Sequence, residues 1–290
     1  MFGRFLDDVY LAGFWKKSII QDLLWYKRSI VNLDSEHSKA PSWSWASTKF
    51  KGEIEFLPAC HELAELVEAL AKPSGKDPYG ELAYGFLRIR AKGVPAAIQH
   101  FLSPGIKDTV IFRKSDDAFF RVNHFLCPFF VLHATPINEQ TVPGDIFIIQ
   151  IGSYDERFPI NTQWLVNNAS PELLRNIKDA RSCLLIMKDE ADLERWKRVG
   201  LLILAGYDIS DQADTHQSST DAHNRDVSEQ MRDEDGLFDA EIQRNFEEGC
   251  EAQRAIFRAL DEGPMQEFTI WYLRSGTSDS ASDHILSFEH

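Results

Sequence analysis

The chain has 290 residues, of which 43% are hydrophobic and 12% aromatic. That length allows one large domain or two small ones around a substantial core. The formal net charge is −14, and Lys and Arg form no run. Nucleic acids and anionic membrane surfaces both attract basic faces, so we expect neither of them as a partner.

The four cysteines lie more than 50 residues apart and form no CxxC pair: Cys60, Cys127, Cys183 and Cys250. A secreted disulfide scaffold is denser in cysteine and shorter. Asp7 and Asp8 stand where a signal peptide needs an apolar run. The sequence therefore predicts reduced thiols and a cytoplasmic location.

Residues 7–27 carry apolar side chains at helical spacing, namely Leu11, Phe14, Trp15, Ile19, Leu23, Leu24 and Trp25. Gly13 weakens the middle of this pattern, and Ser18 with Gln21 has the spacing of a capping box. Two short helices are predicted. A polar, loop-like stretch leads to Pro41–Ser47, where Trp43 and Trp45 alternate and would point the same way in an extended segment.

Most of the remaining pattern predicts strands separated by Gly and Pro: residues 53–57, 82–91, 109–113, 118–122, 128–135, 145–151, 183–188, 198–206 and 267–274. Residues 60–71 combine good helix formers with strand-like alternation, and the local pattern favours a helix. Ser170-Pro171-Glu172 is typical of a helix start, with that helix running to about Ala180.

A late insertion differs in composition from the rest of the chain. Residues 208–235 are polar and predict disorder, whereas 237–260 carry apolar residues at helical spacing. Asp208 to Glu262 holds 16 acidic and 5 basic residues, so most of the net charge is local to this stretch. The apolar stripe of the helix either packs back on its own domain or binds a partner.

These patterns predict an α+β fold with helices at the N-terminus, a mostly antiparallel β-rich domain and a late acidic, partly helical insertion. The predicted boundaries are 1–52 for the helical segment and its Trp-Ser-Trp turn, 53–207 plus 264–275 for the β-rich domain, and 208–263 for the insertion.

Motifs for catalysis or metal binding are weak. His124, Cys127 and His133 need not converge if 128–135 is a strand. The sequence has no Gly-x-Ser-x-Gly and no Gly-x-Gly-x-x-Gly motif. The adjacent carboxylates of Asp155 and Glu156 are typical of a solvated turn. We therefore expect no catalytic residue, no metal site and no cofactor.

Three stretches together are similar to one family. They are Asp8–Trp15 with Leu23–Trp25, then Ala40–Ser47, then Asp77–Glu81 leading into Gly85–Arg90. Their order and spacing resemble the region that follows the HET domain in fungal heterokaryon-incompatibility proteins. Further along the chain, residues 196–201 resemble one of the family's closing strands. The residues that carry the resemblance are Tyr10, Gly13, Trp15, Leu24, Trp25, Pro41, Trp43, Trp45, Tyr79, Gly80, Gly85, Arg198 and Gly200.

The resemblance covers most of the chain except about 208–262, and the HET domain itself has no counterpart. It implies an accessory, non-catalytic region in fungal nonself recognition that works through contacts, with a HET domain in cis or in trans as partner. It also favours a strand at 60–71. The exposed aromatic residues of the N-terminal helix, Phe14, Trp15 and Trp25, would then pack on the absent domain.

The Trp-Ser-Trp stretch has two interpretations. It is either a ligand or docking surface, or a structural turn in which Trp43 and Trp45 fill the core and the hydroxyls of Ser42 and Ser44 bond to the local backbone. Two further alternatives for the whole chain are a β-rich small-molecule-binding or hydrolytic enzyme with an unrecognised site, and a nonfunctional fragment of a truncated gene.

Overall fold

The computed structural model describes residues 7–27, 40–47, 54–103, 106–113, 119–121, 129–132, 146–154, 177–189, 192–207 and 254–273. Several sequence predictions lie outside these residues: the Ser170 helix start, the His124–Cys127–His133 group, the Asp155–Glu156 pair, Cys250 and the polar stretch 208–235.

Within the described residues the chain is mostly β. The strands are β1 (Trp25–Lys27), β2 (Ile54–Phe56), β3 (His61–Glu62), β4 (Glu65–Pro73), β5 (Leu82–Ser103), β6 (Ile106–Arg113), β7 (Phe119–Arg121), β8 (Phe129–Leu132), β9 (Ile146–Tyr154), β10 (Ile177–Asp189), β11 (Asp192–Tyr207) and β12 (Met265–Leu273). The helices are α1 (Ile19–Asp22) and α2 (residues 254–262), with one-turn 3-10 segments at Lys16–Ser18 and Trp45–Ser47.

The prediction of an α+β fold with N-terminal helices is wrong. The helical part of residues 7–27 is limited to the 3-10 turn Lys16–Ser18 and the single α-helical turn α1 that follows it. Positive φ angles at Ala12 (φ 55°) and Gly13 (φ 107°) interrupt the helical backbone before these turns, and Trp25 begins a strand after them. The apolar side chains of this segment are nearly all buried, so they reproduce helical spacing without a long helix.

The predicted capping box is also absent from α1. The Ser18 hydroxyl donates to Asp22 Oδ2 at 2.5 Å and makes no capping bond. The Gln21 side chain instead reaches the loop before β3, where its Nε2 donates to the Pro58 carbonyl and its Oε1 accepts from the Cys60 backbone N–H.

The large sheet closes into a ring of five strands in the order β5, β9, β10, β11, β12 and back to β5. Neighbours in the ring are antiparallel, except that β11 and β12 meet in parallel at Trp196 and Ile270. The long strand β5 closes the ring because residues 84–92 pair with β12 and residues 93–96 pair with β9.

Each predicted strand has a counterpart in β2 or β5–β12. The described pairings of these strands are antiparallel except for the parallel pair of β11 with β12. Two helix predictions are wrong. Residues 65–73 form β4, which pairs with β5 and turns Leu66, Ala69 and Ala71 toward the core. Residues 177–180, expected at the end of a helix, belong to β10.

The central parts of β9–β11, residues 148–152, 182–186 and 198–204, are buried on both faces, which explains their nearly continuous apolar sequence. One face packs against the N-terminal segment and β4. The other face is covered by α2 through Ile256, Phe257 and Leu260, while Arg181 Nη1 bonds Asp261 Oδ1 at 2.7 Å. For residues 254–262, therefore, the amphipathic stripe packs on its own sheet. Neither described helix has the length and apolar character that a membrane crossing requires.

Candidate functional site

Two motifs far apart in the sequence meet around one buried arginine of β11. Arg198 is 2% exposed, and its Nη2 donates to the carbonyl oxygen of Trp25 at 2.7 Å. Its guanidinium carbon lies 3.9 Å from the centroid of the Trp25 ring. Trp25 Nε1 in turn donates to the Trp43 carbonyl at 2.7 Å. These three residues form the Trp25–Trp43–Arg198 cluster.

The chemistry of this cluster suits positioning. Burial lowers the pKa of Arg198 from its usual range, because the charged form is removed from water. The Trp25 ring face and the backbone carbonyl offset part of that cost. A guanidinium offers donors and no acceptor, so it is poorly suited to act as a base. Its planar face and fixed donors instead attach the N-terminal segment to the sheet.

The Pro41–Ser47 stretch is a turn. The Ser44 backbone N–H donates to the Pro41 carbonyl at 2.9 Å, and the Ala46 N–H donates to Ser44 Oγ at 3.1 Å. The hydroxyl of Ser44 therefore bonds the local backbone as the turn interpretation expects. Ser42 departs from it, because its Oγ accepts from the backbone N–H of Arg198 at 3.1 Å, 156 residues away.

The two indoles of the turn have different environments. Trp43 is fully buried, whereas Trp45 is 41% exposed and begins a 3-10 turn. The turn interpretation, in which both indoles fill the core, therefore holds for Trp43 and not for Trp45. The expectation that the two side chains point the same way applied to an extended segment, and this segment turns. The backbone between them is not extended, so alternation along the sequence does not place both side chains on one face.

Four exposed or half-buried rings form an aromatic patch: Tyr10, Trp15, Trp45 and Tyr79. The Tyr10 ring centroid lies 5.6 Å from that of Trp15 and 5.0 Å from that of Tyr79, both edge to face. Trp45 joins them through Gly13, whose carbonyl accepts from Trp45 Nε1 at 3.5 Å. Large amphipathic rings of this kind are enriched at protein–protein interfaces.

Gly13→Ala is expected to destabilise the protein by about 1–3 kcal/mol, because an L side chain at positive φ is strained. Gly13 has φ 107°, and an added Cβ would lie 2.8 Å from Trp45 Nε1. Urea unfolding followed by circular dichroism measures this loss. Gly75→Ala is the control, since nothing lies within 4 Å of its added Cβ, and a similar cost for both variants would contradict the role of Gly13.

Most of the other residues of the resemblance lie next to one of these two groups. Leu24 and Pro41 are buried beside the cluster in sequence, and a Cβ on Gly85 would lie 2.6 Å from the Leu70 carbonyl and 3.5 Å from the Trp43 ring. Gly200 is buried in β11 opposite Leu185 and Leu132. Gly80 ends the turn that carries Tyr79.

The expected exposure of the N-terminal aromatic residues is wrong for two of the three. Phe14 and Trp25 are buried in the protein's own core, and Trp15 is half-buried.

Sequence reasoning also gave no role to Arg198 beyond membership in a family motif. A charged residue inside an apolar strand was the available signal, because such residues are rarely buried without a partner.

A second polar group surrounds Cys60. Its Sγ lies 3.5 Å from Gln21 Oε1 and 3.8 Å from Ser182 Oγ, and Tyr154 Oη donates to the Pro58 carbonyl at 3.1 Å. Burial raises the pKa of the Cys60 thiol, and burial likewise raises the pKa of Tyr154. A catalytic cysteine needs a lowered pKa, so this environment opposes nucleophilic catalysis.

Cys60 is therefore expected to react with iodoacetamide several-fold more slowly than free cysteine at pH 8, because a raised pKa reduces the thiolate fraction. Cys183, whose pKa burial raises to about 12, should react more slowly still. Peptide mapping by mass spectrometry gives both rates. A Cys60 faster than free cysteine would reveal an activated thiol and favour the enzyme alternative.

In the described part of the chain, no three His, Cys, Asp or Glu side chains come together as a metal site would require. Comparisons with protein-family models, with curated proteins and with solved structures find no match.

Proposed function

We propose that this chain is an accessory, non-catalytic region of a fungal HET-type incompatibility protein. It acts in the cytoplasm by contacting a HET domain, in cis or in trans. The supporting observation is that the residues of the resemblance fall into two spatial groups. Trp25, Trp43 and Arg198 attach the N-terminal segment, residues 7–27, to the sheet, and the same segment carries Tyr10 and Trp15, two of the four rings of the aromatic patch.

The aromatic patch is the surface through which this contact is made. Trp45 and Tyr79 are 41% and 38% exposed, and neither belongs to the buried clusters that hold the fold together. Exposed Trp and Tyr on a rigid support supply most of the binding energy at protein interfaces. The buried cluster provides that support, because Trp43 and Trp45 lie two residues apart on one turn.

The test is calorimetric titration of the full chain with a HET domain of the resembled family, produced as a separate polypeptide. We expect one-to-one binding that Trp45→Ser weakens about 30-fold, since an interface Trp carries about 2 kcal/mol. Met265→Ser is the matched control. Met265 is also 41% exposed, but it pairs with Lys92, at the end of the β5–β12 ladder remote from the Tyr79 turn.

Both variants must retain the melting temperature of the parent chain for this comparison. Absence of binding in the parent chain would overturn the proposal. Equal weakening by Trp45→Ser and Met265→Ser would place the contact elsewhere.

A further inference from the structure

Strand β4 forms an open edge of the sheet. It pairs with β5 along one side, and no other described strand or backbone group bonds its second side. The free stretch is short, because the register shifts between Leu66 and Glu68 and Pro73 ends the strand. Edges of this kind pair readily with another chain unless charges or irregularities prevent it.

The exposed side chains of this edge have a symmetric charge pattern. Glu68, Leu70 and Lys72 alternate with the inward-facing Ala69 and Ala71. Leu70 is 38% exposed. An acidic and a basic residue thus stand two positions on either side of an exposed leucine. We propose that β4 pairs antiparallel with β4 of a second copy of this chain, about a twofold axis through Leu70.

Only this antiparallel register places opposite charges across from each other on both sides of the twofold axis. It sets Glu68 opposite Lys72 of the second copy, Lys72 opposite its Glu68, and Leu70 opposite its Leu70. The inward-facing positions then pair Ala69 with Ala71, where small side chains meet. Directly opposite residues in an antiparallel pair are close enough to interact, whereas parallel in-register pairing would set Glu68 against Glu68.

The next strands extend the contact. Leu70 is opposite Phe86 on β5, Phe86 is opposite Trp271 on β12, and the Phe86 and Trp271 ring centroids are 4.9 Å apart. Two-fold pairing joins this row to its copy and gives a continuous apolar row across six strands. An isologous contact of this kind closes as a dimer and does not propagate into fibres.

This inference does not depend on the proposed function, because no residue of the aromatic patch belongs to β4. Sedimentation velocity of the full chain over a range of concentrations tests it. The parent chain should show a reversible monomer–dimer equilibrium, and Leu70→Lys should abolish the dimer because two like charges then meet at the axis. Met265→Lys is the matched control, since Met265 is 41% exposed but pairs with Lys92, beyond the end of the β4–β5 pairing.

A charge swap tests the register itself. Lys72→Glu sets a second carboxylate opposite Glu68 at both symmetric positions and should raise the dimer dissociation constant about tenfold. The double variant Glu68→Lys/Lys72→Glu reverses both charges and should restore dimerisation. Glu68 also contacts Arg88 at 3.4 Å on the exposed surface, so melting temperatures are compared for all variants.

A parent chain that stays monomeric at every concentration would overturn the inference. So would a dimer that resists Leu70→Lys or dissociates with Met265→Lys, because its interface would lie elsewhere. Failure of the double variant to restore the dimer would exclude this register. None of these results bears on binding to a HET domain, which is measured with Trp45→Ser.

Discussion

Arg198→Ala is expected to lower the free energy of unfolding by about 3–5 kcal/mol. The Trp25 carbonyl loses a charged donor, which costs about 1.5–3 kcal/mol, and the empty volume against the Trp25 ring costs more. The N-terminal segment also loses one of its links to the sheet, because Arg198 Nη2 bonds the Trp25 carbonyl at 2.7 Å. Urea unfolding followed by far-ultraviolet circular dichroism measures the change.

Two variants separate packing from polar contact at this position. Arg198→Met keeps most of the side-chain volume but no donor, so we expect a smaller loss of about 1–3 kcal/mol. Lys197→Ala is the neighbouring control, since Lys197 is exposed and its ion pair with Asp189 at 2.9 Å is worth at most about 1 kcal/mol. An Arg198→Ala cost as small as that of Lys197→Ala would contradict the anchoring role.

Trp43→Ala is expected to destabilise the protein by about 3–5 kcal/mol, the usual cost of removing a fully buried large aromatic side chain. Trp45→Ala should cost clearly less, because 41% of Trp45 is exposed whereas Trp43 is fully buried. Both residues belong to one short motif, so Trp45→Ala serves as the control for Trp43→Ala. The same denaturant experiment applies, with melting temperatures as a second measure.

Trp43→Phe adds a test of the indole nitrogen. Within the described residues Trp43 Nε1 has no hydrogen-bond partner. Removing a buried donor that is not bonded costs little, so this variant should lie much closer to the parent chain than Trp43→Ala. Equal losses for Trp43→Ala and Trp45→Ala would mean that the turn contributes to stability as a whole and that burial of Trp43 is not decisive.

The sequence predicted the strands of the sheet well and the N-terminal segment poorly. Strands such as β9 and β12 are apolar runs bounded by turn residues, and local pattern is sufficient to identify them. In residues 7–27 the same local rule failed. Leu11, Phe14 and Leu24 are buried because the sheet surrounds them, and apolar spacing alone cannot distinguish this from the face of a helix.

The candidate site was only partly accessible to sequence reasoning. Family resemblance identified Trp25, Trp43 and Arg198 as members of a motif set, but it did not indicate that they touch. Their contacts join residues 173 positions apart, between Trp25 and Arg198, and no local pattern encodes such a distance. Trp43 is buried and Trp45 is exposed because a 3-10 turn begins at Trp45. Alternation along the sequence does not reveal that turn.

Closure of the ring has a consequence for how the chain folds during synthesis. Trp25 emerges from the ribosome 173 residues before Arg198, and β5 must wait for β12, whose residues begin at Met265. At about 5–20 residues per second the Trp25 segment remains without its partner for about 10–35 s. The nascent chain therefore exposes the apolar side chains of the Trp25 segment to chaperones during that time. A chain that stops before Met265 lacks β12 and cannot close the ring, so we expect it to be degraded and not to form a smaller folded domain.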